Sequence, residues 1–118
     1  MSNDVNIYGI KACDTMKKAM TWLSEQGIDY TFHDYKKVGA QRSKIEGWLA
    51  QAAWDELINK RGTTWRKLDD ADKQNVNNEQ ALRLMLENTS LIKRPLLEVG
   101  GKIYLGFKPE LYQNIFAR

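Results

Sequence analysis

One thiol and two arginines carry the chemistry that this sequence offers. Cys13 is the only cysteine of the chain and lies in YGIKACDTMKKAM, residues 8–20. It follows a stretch that reads as a strand and opens one that reads as a helix. The first N–H groups of a helix lack intrahelical partners and carry partial positive charge. A thiolate there is stabilised, and the thiolate is the reactive form of cysteine. Lys11, Lys17 and Lys18 add positive potential, and Asp14 opposes it. Cys13 is therefore expected to be a nucleophile of lowered pKa; the alternative is a small hydrophobe packed under the helix start. There is no C-x-x-C, because the fourth position is Met16. A second thiol would have to come from outside, from glutathione or a partner protein, so the expected chemistry is monothiol.

Two further stretches bear on the thiol. KRGTTWRKL (60–68) groups Arg61, Trp65 and Arg66, and IKRPLLEV (92–99) sets Arg94 directly before Pro95 at the start of a strand. An X–Pro bond at such a place is a candidate for the cis form. Arg94 would sit beside the cysteine loop if the third strand neighbours the first. Guanidinium groups facing a thiolate lower its pKa and bind oxyanions. Taken singly, each arginine reads as a surface residue and Pro95 as a trans residue opening a strand. Taken with Cys13 they form a constellation. His33 is the only histidine and has no metal-ligand spacing, so it reads as a strand-surface residue and no metal is expected. Trp22, Trp48, Trp54 and Trp65 are core candidates, and Tyr8 faces the core from its strand.

The elements that must position these residues follow from periodicity. DVNIY (4–8) is a first strand. Residues 14–26 are a helix with Met16, Ala19, Met20 and Leu23 at helical spacing, closed by Gly27. Residues 28–34 alternate, with Ile28, Tyr30 and Phe32 on one face of a strand. This β-α-β opening implies parallel strands. Residues 40–88 read as wholly helical. Ser43 and Glu46 have capping-box spacing ahead of a stripe of Ile45, Trp48, Leu49, Ala52 and Ala53. Short helical pieces at 55–60 and 63–68 flank Arg61–Gly62, and Asn77 or Asn78 caps a helix carrying Ala81, Leu82, Met85 and Leu86. Strands at 96–99 and 102–105 flank Gly100–Gly101, a hairpin signal. A final helix at 109–117 starts with proline. The expected fold is α/β and thioredoxin-like (glutaredoxin topology): β-α-β then β-β-α, a mixed four-stranded sheet interrupted by an all-helical insertion.

At 118 residues the chain is long enough for one domain with its own core, and 42% hydrophobic with 28% charged residues marks it as globular. No apolar run approaches the ~20 residues of a membrane span, and the start shows no signal-peptide pattern. A single cysteine fits a reducing compartment, so a cytoplasmic location is expected. The net charge of +3 is spread among interspersed acids and bases, which argues against direct nucleic-acid binding. Nothing suggests more than a monomer.

IYGIKACDTMKKAMTWL, LINKRGTTWRKL and LIKRPLLEVGGKIYLGF together resemble the ArsC-like family, the arsenate-reductase-related branch of the thioredoxin fold. The resemblance spans essentially the whole chain and is nearest to YffB-type members, described as glutathione-dependent thiol reductases; Spx-type transcription regulators are a sister branch. It implies one ArsC-like domain over 1–118, with a thioredoxin-like core at 1–39 and 90–118 and a helical subdomain at 40–89. It implies Cys13 as nucleophile, Arg61 and Arg94 as its catalytic partners, and a substrate pocket of Lys11, Asp14, cis Pro95 and Phe107. Glutathione would be the co-substrate and glutaredoxin a further partner. Arsenate reductases carry a third arginine where this chain has Phe107 and a histidine where it has Gly9. Both differences remove positive charge, which favours a thiol reductase over an arsenate reductase. Met16 excludes the internal disulfide switch of Spx-type proteins, and an Spx-like role in binding the transcription machinery is the alternative.

Overall fold

The computed structural model describes residues 4–117, with elements in the order β1 (Val5–Gly9), α1 (Asp14–Glu25), β2 (Thr31–Asp34), α2 (Tyr35–Val38), α3 (Arg42–Leu49), α4 (Trp54–Leu57), α5 (Thr63–Arg66), α6 (Asn78–Glu87), β3 (Leu96–Val99), β4 (Lys102–Leu105) and α7 (Pro109–Phe116). The chain forms two compact units, one running up to Asp34 and again from Arg94, the other Tyr35–Lys93. No described helix is long and apolar enough to cross a membrane.

The first unit is a four-stranded mixed sheet in the order β2-β1-β3-β4. β1 and β2 are parallel, while β3 runs antiparallel to both β1 and β4. This is the expected thioredoxin-like arrangement. In α1, Met16, Ala19, Trp22 and Leu23 are buried. They meet Ile7, Leu97 and Tyr112 in one apolar cluster. Each fully buried side chain of this size contributes about 1.5–3 kcal/mol, which fixes α1 against the sheet. The helix closes with the paired C-terminal bonds of a Schellman motif: Ile28 N–H to the Leu23 carbonyl at 2.9 Å and Gly27 N–H to the Ser24 carbonyl at 3.1 Å. The second strand is shorter than its alternation suggested and begins only at Thr31. Ile28, Tyr30 and Phe32 nonetheless pack on the same cluster. His33 is not a plain surface residue. It is half-buried, its ring stacks on Tyr8 at 4.3 Å, and its Nε2 lies 2.8 Å from Asn6 Oδ1.

The second unit buries Ile45 and Trp48 of α3, Leu57 and Ile58, and Ala81, Leu82, Leu84 and Met85 of α6. It is not wholly helical, since Ile58 and Ile92 form an antiparallel bridge. The expected capping box does not form. Gln41, not Ser43, is the N-cap of α3, and Glu46 pairs instead with Arg42 at 3.7 Å. The apolar stripe ends with the helix at Leu49, so Ala53 is exposed. Asn77 does cap α6, its side chain accepting from Gln80 N–H at 2.9 Å. Trp54 and Trp65 are not core residues. They stack on each other at 6.2 Å and remain half-exposed, because α4 and α5 are single turns.

Candidate active site

Cys13 occupies the N-cap position of α1 with extended backbone (φ −90°, ψ 128°). A tight turn brings it there, with Cys13 N–H donating to the Ile10 carbonyl at 3.2 Å. The side chain is half-exposed, and its apolar body packs on the core cluster.

The sulfur sits among donors. Partial burial raises the Cys13 pKa, and this is outweighed by hydrogen bonds from the backbone N–H groups of Met16 and Thr15, by a hydrogen bond from the Arg94 side chain and by the Arg94 charge. The net effect holds the thiol below its ordinary value. The backbone donors are the free N–H groups of the first helical turn, so the helix start supplies them without any side chain.

The sheet explains how Arg94 arrives. Tyr8 of β1 lies opposite Leu96 of β3. Continuing that antiparallel register by two steps brings Pro95 and Arg94 to Gly9 and Ile10, which lead into the Cys13 turn. Pro95 is buried and the Arg94–Pro95 peptide is cis. The Pro95 carbonyl accepts the Gly106 N–H at 2.9 Å, which ties this segment to the turn after β4.

The remaining expected residues are placed as follows. Lys11 and Asp14 are exposed on either side of Cys13. Phe107 is half-buried, with its ring edge-on to Tyr112 at 4.7 Å. Arg61 belongs to the second unit and is exposed in the turn between α4 and α5. Its backbone N–H is held by Asn59 Oδ1 at 3.1 Å, and its side chain makes no hydrogen bond or ion pair among the described residues. The first unit therefore brings Cys13, Arg94 and Pro95 together.

One relationship was not readable from the sequence. A Cβ on Gly9 would run into the side chain of Met16, lying 2.9 Å from Cε and closer still to Sδ. Glycine at position 9 is thus the space that Met16 fills. Met16 is fully buried, so the position that would hold a second thiol in a C-x-x-C is a core residue here.

The mixed sheet with Cys13 at the start of its first helix is a thiol-disulfide oxidoreductase-like fold. The ArsC family model matches residues 8–115, and the chain belongs to this family. A solved YffB protein superposes with a TM-score of 0.90 at 51% identity, over 93% of this chain and 96% of that one. An arsenate reductase (ArsC) related protein from Brucella melitensis superposes with a TM-score of 0.76 at 50% identity, over 98% and 96%. An uncharacterized protein of Haemophilus influenzae is 42% identical over 96% of this chain and 99% of its own. Spx regulators are more distant, with that of Listeria innocua at 24% identity over 97% of this chain and 88% of its own.

Proposed function

We propose that the protein is a monothiol, glutathione-dependent thiol reductase with Cys13 as its nucleophile. The observation that carries this reading is the position of the free Cys13 thiol at the N-cap of α1, where the N–H groups of the first turn and Arg94 favour the thiolate. A thiolate at that point attacks the glutathionyl sulfur of a mixed disulfide. The substrate's S–S bond breaks, its sulfur leaves as a thiolate and takes up a proton, and Cys13 is left bonded to glutathione. The thiolate of a second glutathione attacks the glutathionyl sulfur of that adduct. Oxidised glutathione departs and Cys13 returns as thiolate. No internal thiol competes, because Cys13 is the only cysteine.

In this reading Arg94 stabilises the attacking thiolate directly. For Arg61, which belongs to the second unit, only the family resemblance implies a role toward an anionic substrate. Lys11, Asp14, Pro95 and Phe107 are assigned to the walls that receive it. Arsenate reduction is the weaker reading, because glycine and phenylalanine at 9 and 107 bring no cation to an oxyanion.

Exposure to oxidised glutathione followed by intact mass measurement tests the proposal. Wild type is expected to gain one glutathione at neutral pH and Cys13→Ser none. A wild-type thiol that stays unmodified overturns it.

A further inference from the structure

The turn after β4 is where the structure says more than the reaction requires. Gly106 has φ +82°, a backbone region that L side chains rarely adopt. A Cβ there would meet nothing within 4 Å, so space does not demand glycine. The Gly106 N–H donates to the Pro95 carbonyl at 2.9 Å, and the left-handed φ turns the chain from that bond toward Phe107. The next residue, Phe107, packs edge-on against Tyr112 at 4.7 Å, and Tyr112 is completely buried in the core cluster. The turn is therefore anchored on one side by Phe107 and grips the Arg94–Pro95 segment on the other. β3 and β4 are paired only from Leu96 onward, opposite Leu105. The Gly106–Pro95 bond continues that pairing beyond the end of β4 and ahead of the start of β3, next to the residue whose side chain reaches Cys13.

We propose that Gly106 is a positioning residue of the thiol site: its left-handed turn lets the chain donate the Gly106 N–H to the Pro95 carbonyl while Phe107 stays anchored on Tyr112, and this bond presents the Arg94 guanidinium to the Cys13 sulfur. This rests on the reading of Cys13 as an Arg94-stabilised thiolate. The role belongs to the backbone conformation and not to side-chain size, which makes it separable by substitution. Asparagine tolerates the left-handed region better than other non-glycine residues, whereas a β-branched residue strongly resists it. Because the space beside Gly106 is open, Gly106→Asn keeps both the turn and its N–H, and Gly106→Val forces the turn to change.

The test is the pH dependence of Cys13 alkylation by iodoacetamide in wild type, Arg94→Ala, Gly106→Asn and Gly106→Val, with circular dichroism confirming the fold. Gly106→Val is expected to react about three- to tenfold more slowly than wild type at pH 7, approaching Arg94→Ala, and to converge with wild type at high pH. Gly106→Asn is expected to stay within about twofold of wild type, which a size effect would not allow. Should Gly106→Val fail to fold, Gly106→Ala takes its place with a smaller slowing in the same direction. Folded Val and Ala variants that titrate like wild type, while Arg94→Ala does not, overturn the role of Gly106 and leave the thiolate reading standing. A wild type whose profile does not depend on Arg94 overturns both.

Discussion

Adding one methyl group at position 9 should strain the cysteine site from below. In Gly9→Ala the new Cβ would stand 2.9 Å from Met16 Cε and 3.2 Å from Cγ, and nearer still to Sδ. Carbon–carbon contacts prefer about 3.5–4.0 Å, so the thioether must move by roughly half an ångström or more. Met16 has no solvent to move into, being fully buried among Ile7, Ala19, Leu23 and Leu97. Methionine is adaptable, which limits the cost. Overpacking of this kind costs about 1–3 kcal/mol. Urea denaturation of Gly9→Ala, Met16→Ala and the double variant measures it as a cycle. Met16→Ala alone should cost about 2–5 kcal/mol through its cavity. Within that background the Gly9→Ala penalty should fall to a few tenths of a kcal/mol, because the new methyl then occupies vacated space. The strain also reaches the thiol. Gly9 adjoins Ile10, whose carbonyl holds the Cys13 N–H, and Met16 N–H is a donor to the sulfur. Alkylation of Cys13 at pH 7 should therefore slow in Gly9→Ala and recover in the double variant. A Gly9→Ala penalty of equal size in wild type and in the Met16→Ala background would refute the packing argument.

Arg94→Ala removes both a hydrogen bond and a positive charge from the Cys13 thiolate. Its alkylation profile should move to higher pH, with the rate at pH 7 falling by about tenfold; an unchanged profile excludes Arg94 from the site. Tyr112→Phe deletes a buried hydroxyl that has no hydrogen-bond partner among the described residues, so chemical denaturation should show it neutral or stabilising by up to about 1 kcal/mol. The lowered Cys13 pKa also makes stability depend on pH. The folded state loses the thiol proton at lower pH than the unfolded chain, so stability rises with pH from the folded pKa up to the ordinary cysteine value, about 8.5. Urea denaturation across that window should show wild type gaining on Cys13→Ser as pH rises, and parallel curves would contradict the lowered pKa.

The fold was legible where elements carry their own chemistry. The stripe of Met16, Ala19, Met20 and Leu23 marked α1, Gly100–Gly101 marked the β3–β4 hairpin, and the pair Asn77 and Asn78 marked the start of α6, which Asn77 caps. The middle of the chain was less legible, because α2, α4 and α5 are four-residue helices, too short for a 3.6-residue period to emerge. That is why Trp54 and Trp65 read as core and are instead a half-exposed stack. Cys13 and Arg94 stood out by residue type and position, and the strand order that joins them followed from the β-α-β, β-β pattern. Gly9 stood out only as the place of an absent histidine, and Gly106 did not stand out. One is set by a distant side chain and the other by a distant carbonyl, and neither partner is visible along the sequence.

The central claim is that Cys13 is a stabilised thiolate, and the pH dependence of its alkylation by iodoacetamide in the wild-type protein tests this most directly. A midpoint well below the free-cysteine value of about 8.5 is the expected result. A midpoint at or above that value would mean an unactivated thiol and would contradict the reductase reading at its root.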